Sequence, residues 1–412
     1  MKFKSLVLVM ILMALLLPHF VNAANQPVNS DPFILYDGPQ LDVVSSAING
    51  ETVGPWRAGM KKLTKDADKL LTQSPFTVTD KKVLPPSGDL HDYYSLASYY
   101  WPDPQKPGGL PYRNQDGLVN PERENSDRYD STRLSRMVGA VDTLALVYRL
   151  TGKEVYAAKA VELLKVWFIN PDTCMNPNLN FGQGVPGRTN GRSSGIIDTS
   201  ILIRVVDDAI MMEASISFPA NDQILLQNWF RLYLNWLLNS KLGRQEAAAA
   251  NNHGVWYDAQ TAAFALYTDQ PELAAQIVES AKDRRIRSQI EPDGAMPKEQ
   301  SRTRSMHYSI YNLQAFITLA RIGDKVGVNL WEYQSPDGRG IQKAIDYLIP
   351  FLLQEKAWHF QTIISENQRE FARYLYLADL HYQTAKYQEA EKFVLDKNRS
   401  IKDIVGTGIL FF

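Results

Sequence analysis

The 412-residue chain has a single cysteine, Cys174. One thiol rules out any intramolecular disulfide framework, so the fold must rest on its core alone. A basic excess is also missing: 44 Lys and Arg stand against 45 Asp and Glu, a net charge of −1. That balance argues against nucleic acid as a partner. A polyanionic ligand would need a local basic cleft instead of global attraction. Low-complexity tracts are absent, and runs of alternating polar and apolar residues are few, which argues against a β-rich fold. The unbroken apolar run at residues 6–17 falls short of the ~20 residues that span a bilayer.

That run has another meaning. Lys2 and Lys4 precede it as a basic flank, and Val21-Asn22-Ala23 follows with residues of the kind a signal peptidase reads. The pattern predicts a signal peptide over residues 1–23 and an exported chain, periplasmic or secreted, with no membrane anchor after cleavage. Cys174 lies too far away to carry a lipid at the new N-terminus. Loss of Lys2 and Lys4 leaves 42 basic against 45 acidic residues, a net −3. The remainder, residues 24–412, exceeds the ~250–300 residues at which single cores divide. A ring of helix pairs can extend one core, so a single domain is expected.

Helical spacing of apolar residues dominates after about residue 130. The stretches 134–150, 154–168, 196–214, 222–238, 255–267, 272–287, 308–322, 341–353 and 371–384 all carry it. Gly or Pro marks most junctions, among them Gly152, Pro219, Gly243, Pro271 and Gly323. Amphipathic helices joined by short turns predict an all-α fold in which helical hairpins form an (α/α) toroid. A tetratricopeptide-type solenoid is disfavoured because no motif recurs at a fixed period.

Three segments interrupt the helices. Residues 91–104 (HDYYSLASYYWPDP) are an aromatic loop, residues 176–192 (NPNLNFGQGVPGRTNGR) are polar and rich in Asn and Gly, and residues 291–297 (EPDGAMP) form a turn. Long polar loops on a helical frame are where a binding site belongs. The aromatic loop either stacks sugar rings or clamps itself to the frame, and the two readings are compatible. Asn251-Asn252-His253 stands between an Ala-rich helix and Gly254, where a capping cluster is the plain reading. In the segment 297–312 (PKEQSRTRSMHYSIYN), a helix from Ser305 puts Tyr308 and Tyr311 on one face, with Arg304 one turn earlier. Arg302 converges on that face only if the chain before Ser305 is not helical. A core stripe with solvated arginines is the rival, against which stands a local charge of +3 over residues 282–304.

Taken in order, HDYYSLASYYWPDP, ENSDRYDSTRLSRM, MNPNLNFGQGVPG, NNHGVWYDAQ, IEPDGAMPKEQSRTRSMHYSIYNL and NLWEYQSPDGRGIQKAIDYL resemble the alginate lyase superfamily of helical-toroid polysaccharide lyases. The resemblance covers about residues 91–348. It implies an (α/α) toroid with a long cleft and cleavage of a uronic-acid polymer, alginate first, by β-elimination. Glucuronan or another glucuronate polymer is the alternative substrate. The family's Asn-His pair matches Asn252 and His253, and the tyrosine that opens its Y-x-x-Y pattern matches Tyr308. Its arginine stands seven residues before that tyrosine, where this chain has Ser301. Arg302 is the nearest replacement and is taken as the catalytic arginine, while helix geometry favours Arg304. Tyr94, Tyr99, Trp101, Asn180, Gln183, Arg304 and Tyr311 are the expected substrate contacts. Neither a metal nor a cofactor is expected.

The chemistry accounts for these residue types. The proton beside the uronate carboxylate becomes acidic only when the carboxylate charge is stabilised, which Asn252, Arg302 and His253 can do. A base then takes that proton and an acid protonates the leaving oxygen. For mannuronate both lie on one face, and the Tyr308 phenolate can serve as base and then acid. For guluronate they lie on opposite faces, with neutral His253 as base and Tyr308 as acid. A free tyrosine titrates near ~10, so the first route calls for cationic neighbours, and Arg302 and Arg304 are placed to help. Two other classes compete. A toroidal glycoside hydrolase would need a carboxylate pair, for which Asp198, Asp258 and Glu299 are candidates. A non-catalytic oligosaccharide-binding protein would not require both the Asn-His and the Arg/Tyr sets.

Overall fold

The computed structural model describes residues 31–50, 56–364 and 368–396, so the expected signal peptide lies outside the described residues. Two helices precede the stretch where periodicity is strong, α1 (Gly38–Asn49) and α2 (Arg57–Leu71). Then follow α3 (Ser131–Thr151), α4 (Glu154–Leu164), α5 (Leu202–Met211), α6 (Ala220–Asn239), α7 (Lys241–Ala247), α8 (Asn252–Tyr267) and α9 (Pro271–Ala281). Two short pieces, α10 (Arg287–Gln289) and α11 (Pro297–Gln300), lead to the long α12 (Ser305–Val326). The chain finishes with α13 (Ile341–Leu352), α14 (Phe371–Tyr382) and α15 (Ala385–Asp396).

The sequence of contacts shows how the helices close up. α3 packs on α5, α5 on α8, α8 on α12 and α12 on α14, while α4, α6, α9 and α13 lie against these. The first set is the inner layer of an (α/α) toroid. Composition follows position. α8 is buried on nearly every side from Gly254 to Ala265, as a helix surrounded by others must be. On α9, which lies against α8 and α12, only Ala274, Val278 and Ala281 are buried, a narrow stripe at three- and four-residue spacing. Among the described residues the main apolar core runs from Phe33 to Val394, and a smaller cluster of Leu96, Ala97, Tyr112, Tyr129 and Val185 lies beneath the loops. Among the described residues no helix is long and apolar enough to cross a membrane.

One end of the ring is filled by the chain ahead of α1. Asp207 on α5 accepts the backbone N–H groups of Ile34 and Leu35 at 2.9 and 2.7 Å, and Arg321 on α12 donates to Asp31 and to the carbonyl of Tyr36. Tyr36 itself donates to Asp142 on α3 at 2.6 Å. This end is therefore closed by polar bonds to three inner helices.

Loops gather at the other end. The aromatic loop holds β1 (Tyr94–Leu96) and β2 (Tyr100–Trp101), β3 is Arg113–Asn114, and β4 (Phe181–Gly184) belongs to the polar loop. β1 pairs parallel with β4, and β2 antiparallel with β3. Several boundaries differ from the sequence expectation: Gly243 lies inside α7, 154–168 ends in a π-helical turn at Lys165–Ile169, and 196–214 opens within the 3-10 helix Ser193–Thr199. Gly323 does not end α12, because the helix continues to Val326 and stops on Gly327 at φ 70°. The stretch 272–287 is broken by a π-helical turn at Lys282–Ile286.

Candidate active site

The N-terminal turns of α8 and α12 carry the residues singled out in the sequence. α8 starts at Asn252 because Asn251 caps it, its side chain accepting the His253 N–H at 3.2 Å. The plain capping reading thus holds for Asn251 and not for its neighbours. Gly254 is required by a close approach: a Cβ there would meet the Ala249 carbonyl at 2.1 Å and the Arg285 guanidinium at 2.4 Å. Arg285 bonds the carbonyls of Ala247 and Ala249 and pairs with Asp258, so it locks the turn between α7 and α8.

That turn delivers two partner pairs. Glu246, buried at the end of α7, lies 2.5 Å from Nδ1 of His253, whose ring is partly exposed. Bonding at Nδ1 leaves Nε2 as the nitrogen available to a ligand. Asn252 is only 1 % exposed, and both its backbone N–H and its side-chain Nδ2 donate to Glu299 at 2.7 Å. Its Oδ1 is buried without a partner. Burial raises the Glu299 carboxyl above its ordinary range, and the Asn252 donors pull against that rise.

Tyr308 is buried within the first turn of α12. Residues 301–304, between α11 and α12, are not helical, the condition on which Arg302 could reach it. The Arg302 guanidinium lies 3.8 Å from the centre of the Tyr308 ring and is held by Asp116 at 3.1 Å through Nε and 2.5 Å through Nη2. Thr303 ties down the same carboxylate. Arg304 precedes the helix as its N-cap, with its carbonyl accepting the Tyr308 N–H at 3.1 Å. The Tyr308 hydroxyl donates to Tyr99 Oη at 2.5 Å. Cationic neighbours were expected to favour the phenolate, and the net effect is opposite. Burial, assisted by Tyr99, drives the Tyr308 phenol well above its ordinary value, and the opposing pull of Arg302 is outweighed.

The expected substrate contacts fall into two groups. Tyr99 meets Tyr308 directly. Tyr311 stacks on His307 with ring centres 5.9 Å apart, packs against Trp256, and has its hydroxyl 3.4 Å from Ser200. Gln183 is buried at φ 48°, a left-handed backbone that is uncommon outside glycine. Its amide bridges Asp198 at 2.8 Å and Arg192 at 2.6 Å. The others frame the loops: Tyr94 packs on Tyr129, Trp101 donates to the Leu118 carbonyl, and the exposed Asn180 accepts from Trp236 at 3.3 Å. Sequence reasoning missed Asp116, Glu246 and Arg192. Glu246 lies seven residues before His253, at the start of the Ala-rich stretch, which is the only local hint.

The three carboxylates considered for hydrolysis are all built into the frame. Asp198 accepts from Tyr93, Ser95 and Gln183, Asp258 is paired with Arg285, and Glu299 holds Asn252. No two of them stand open as an acid–base pair.

Comparison with known proteins bears on this arrangement. A family model described as alginate lyase matches residues 77–358. The crystal structure of an alginate lyase from Bacteroides ovatus is 36 % identical, with a TM-score of 0.82 over 89 % of this chain and 96 % of that one. A histidine-to-alanine variant of alginate lyase A1-III complexed with tetrasaccharide is 16 % identical, with a TM-score of 0.57 over 88 % and 91 % of the two chains. A tyrosine-to-phenylalanine variant of the same enzyme, also with tetrasaccharide, is 15 % identical with a TM-score of 0.54 and the same coverage. The last two speak for the fold alone. No curated protein sequence matches the chain.

Proposed function

The chain belongs to the alginate lyase family and is a polysaccharide lyase, and from that premise we propose that it cleaves alginate by β-elimination, with Tyr308 and His253 as its proton-transfer groups. The observation that carries the reading is the way the two are prepared. His253 is oriented through Nδ1 by Glu246, and Tyr308 is sandwiched between the Arg302 guanidinium and the Tyr99 hydroxyl. A buried ring carrying a cation on its face and a phenol at its hydroxyl is more than core packing needs.

The geometry fits the two stereochemical routes unequally. For guluronate, His253 Nε2 takes the proton beside the carboxylate, and Tyr308, already a phenol, protonates the leaving oxygen. For mannuronate, Tyr308 must first lose its proton, which its buried position opposes. Substrate binding has to separate it from Tyr99, and Arg302 remains on the ring to stabilise the phenolate. Asn252 and Arg302 flank the reacting sugar, each with part of its donor set used by Glu299 and Asp116. An extended anionic oligosaccharide suits the loop-walled end of the toroid, and a fold relative was crystallised with a tetrasaccharide. Export to the periplasm or outside the cell, read from residues 1–23, accords with a polymeric substrate.

A panel of alginate, mannuronate-rich and guluronate-rich blocks, glucuronan and an uncharged mannan, assayed for ultraviolet-absorbing unsaturated ends, tests this directly. Turnover greatest on an alginate fraction is expected. Turnover confined to glucuronan would reassign the substrate, and new reducing ends without absorbance would overturn the elimination.

A further inference from the structure

Two groups expected to meet the uronate carboxylate are already committed inside the protein. Asn252 is almost fully buried on Glu299, and the charge of Arg302 is answered by Asp116. A carboxylate-bearing substrate still needs a cation whose charge is not already cancelled, because its own charge must be compensated as it leaves water.

Arg192 has that property. It lies at the end of the polar loop, partly exposed, and among the described residues no carboxylate pairs with it. Nη2 donates to Gln183 Oε1 at 2.6 Å, the guanidinium lies 5.1 Å from the centre of the Tyr100 ring, and Nε is buried with no acceptor. The nearest anion in its bonded chain, Asp198, reaches it only through the neutral amide of Gln183. The anchor is stiff, since Asp198 also accepts from Tyr93 and Ser95, and Ser95 in turn takes the Gln183 N–H at 2.7 Å. The left-handed backbone of Gln183 is sustained by bonds at its N–H and at both ends of its amide, strain of a kind that accumulates at ligand clamps.

The surroundings place Arg192 in the cleft. Its neighbour Tyr100 follows Tyr99, which bonds Tyr308. The 3-10 helix after it, Ser193–Thr199, packs on α7, whose Glu246 holds His253. Burial disfavours its charged form, only partly offset by Tyr100, Asp198 and Glu246. A partly desolvated cation without a counter-ion gains most when an anion arrives.

We propose that Arg192 is the cation that receives a substrate carboxylate in this cleft, with Gln183 and Asp198 as the residues that position it. The proposal rests on the uronate-lyase reading and deepens it. A planar guanidinium suits bidentate capture of a carboxylate, which a lysine cannot reproduce.

The test is binding of saturated mannuronate and guluronate oligosaccharides, which need not be cleaved, with neutral manno-oligosaccharides as control. Charge-assisted bonds of this kind predict that Arg192→Gln weakens oligouronate binding at least about tenfold. Weak binding of the neutral control should not change. Affinity within about twofold of the unsubstituted protein, a difference well below one such bond, would overturn the proposal. Should Arg192→Gln lose its helical circular dichroism, Arg192→Lys decides: a loss of about threefold or more supports the fork, and equal affinity contradicts it. Failure of the lyase reading shows separately, as absence of unsaturated product from the unsubstituted protein on every uronate polymer.

Discussion

Glu246 approaches His253 Nδ1 to 2.5 Å from the end of the preceding helix, and so fixes which imidazole nitrogen faces the substrate. Glu246→Gln keeps the size of the side chain and can present its N–H to Nδ1, which would select the other tautomer. Cleavage of guluronate-rich alginate should fall at least about tenfold in kcat, the scale on which removal of a positioned base is felt. The melting temperature should move little. An unchanged kcat would remove Glu246 from the site and return it to the frame.

Tyr308 lends itself to a sharper comparison. Its phenol is held above the ordinary tyrosine value by burial, so the neutral form prevails throughout the working range. Where Tyr308 acts as the acid, it adds no descending limb below pH ~10. Where it must act as the base, kcat/KM should climb with pH and not level off because of Tyr308 below pH ~10. Guluronate-rich and mannuronate-rich blocks should therefore give differently shaped profiles. His253→Ala should impair guluronate-rich substrates at least as much as mannuronate-rich ones. Superimposable profiles together with the reverse order for His253→Ala would refute the two routes.

Gly254 separates frame from chemistry. The Cβ of Gly254→Ala would strike the Ala249 carbonyl and the Arg285 guanidinium that locks the turn. Overpacking of this kind costs about 1–3 kcal/mol, and the turn that sets both Asn252 and His253 would shift with it. Thermal unfolding should show the destabilisation. A variant as stable and as active as the parent would contradict the close approach.

Far from the cleft, Glu391 on α15 predicts a pH effect on stability. Burial, assisted by Asp379, raises its carboxyl to about 8 in the folded protein, against 4.5 when unperturbed. The folded state therefore keeps a proton that the unfolded chain releases. Stability falls as pH rises from the unfolded value to the folded one. Glu391→Gln should remove that loss, raising the melting temperature at pH 8 more than at pH 5. An equal effect at both values would exclude the titration.

The inner helices and the paired clusters were legible because burial imposes a 3.6-residue rhythm and because Asn252, His253 and Tyr308 sit in matching motifs. The short α7 and the early α1 and α2 were not. In α1 and α2 the apolar stripe is sparse, with only Leu41 and Val44 buried beyond Gly38 in the first. The partners of the site were hidden for a different reason. Asp116 meets Arg302 from 186 positions away, and Glu299 meets Asn252 across 47, distances that no local pattern encodes. Arg304, favoured by helix geometry, gave way to Arg302 as the residue on the Tyr308 ring because the helix begins only at Ser305. The upward shift of the Tyr308 phenol also depends on burial, which a count of nearby arginines does not reveal.

The central claim is elimination with Tyr308 transferring the proton. Mass spectrometry of the oligosaccharides released from alginate by the parent protein and by Tyr308→Phe measures it most directly. The account predicts that each cut by the parent protein gives one fragment lighter by one water than its hydrolytic counterpart, with an ultraviolet-absorbing double bond at its new non-reducing end, and one saturated fragment that carries the new reducing end. It also predicts a loss of at least about a hundredfold in rate for the folded Tyr308→Phe variant. Products all of full hydrolytic mass with no unsaturated fragment, or a Tyr308→Phe variant that works at the parental rate, would contradict it.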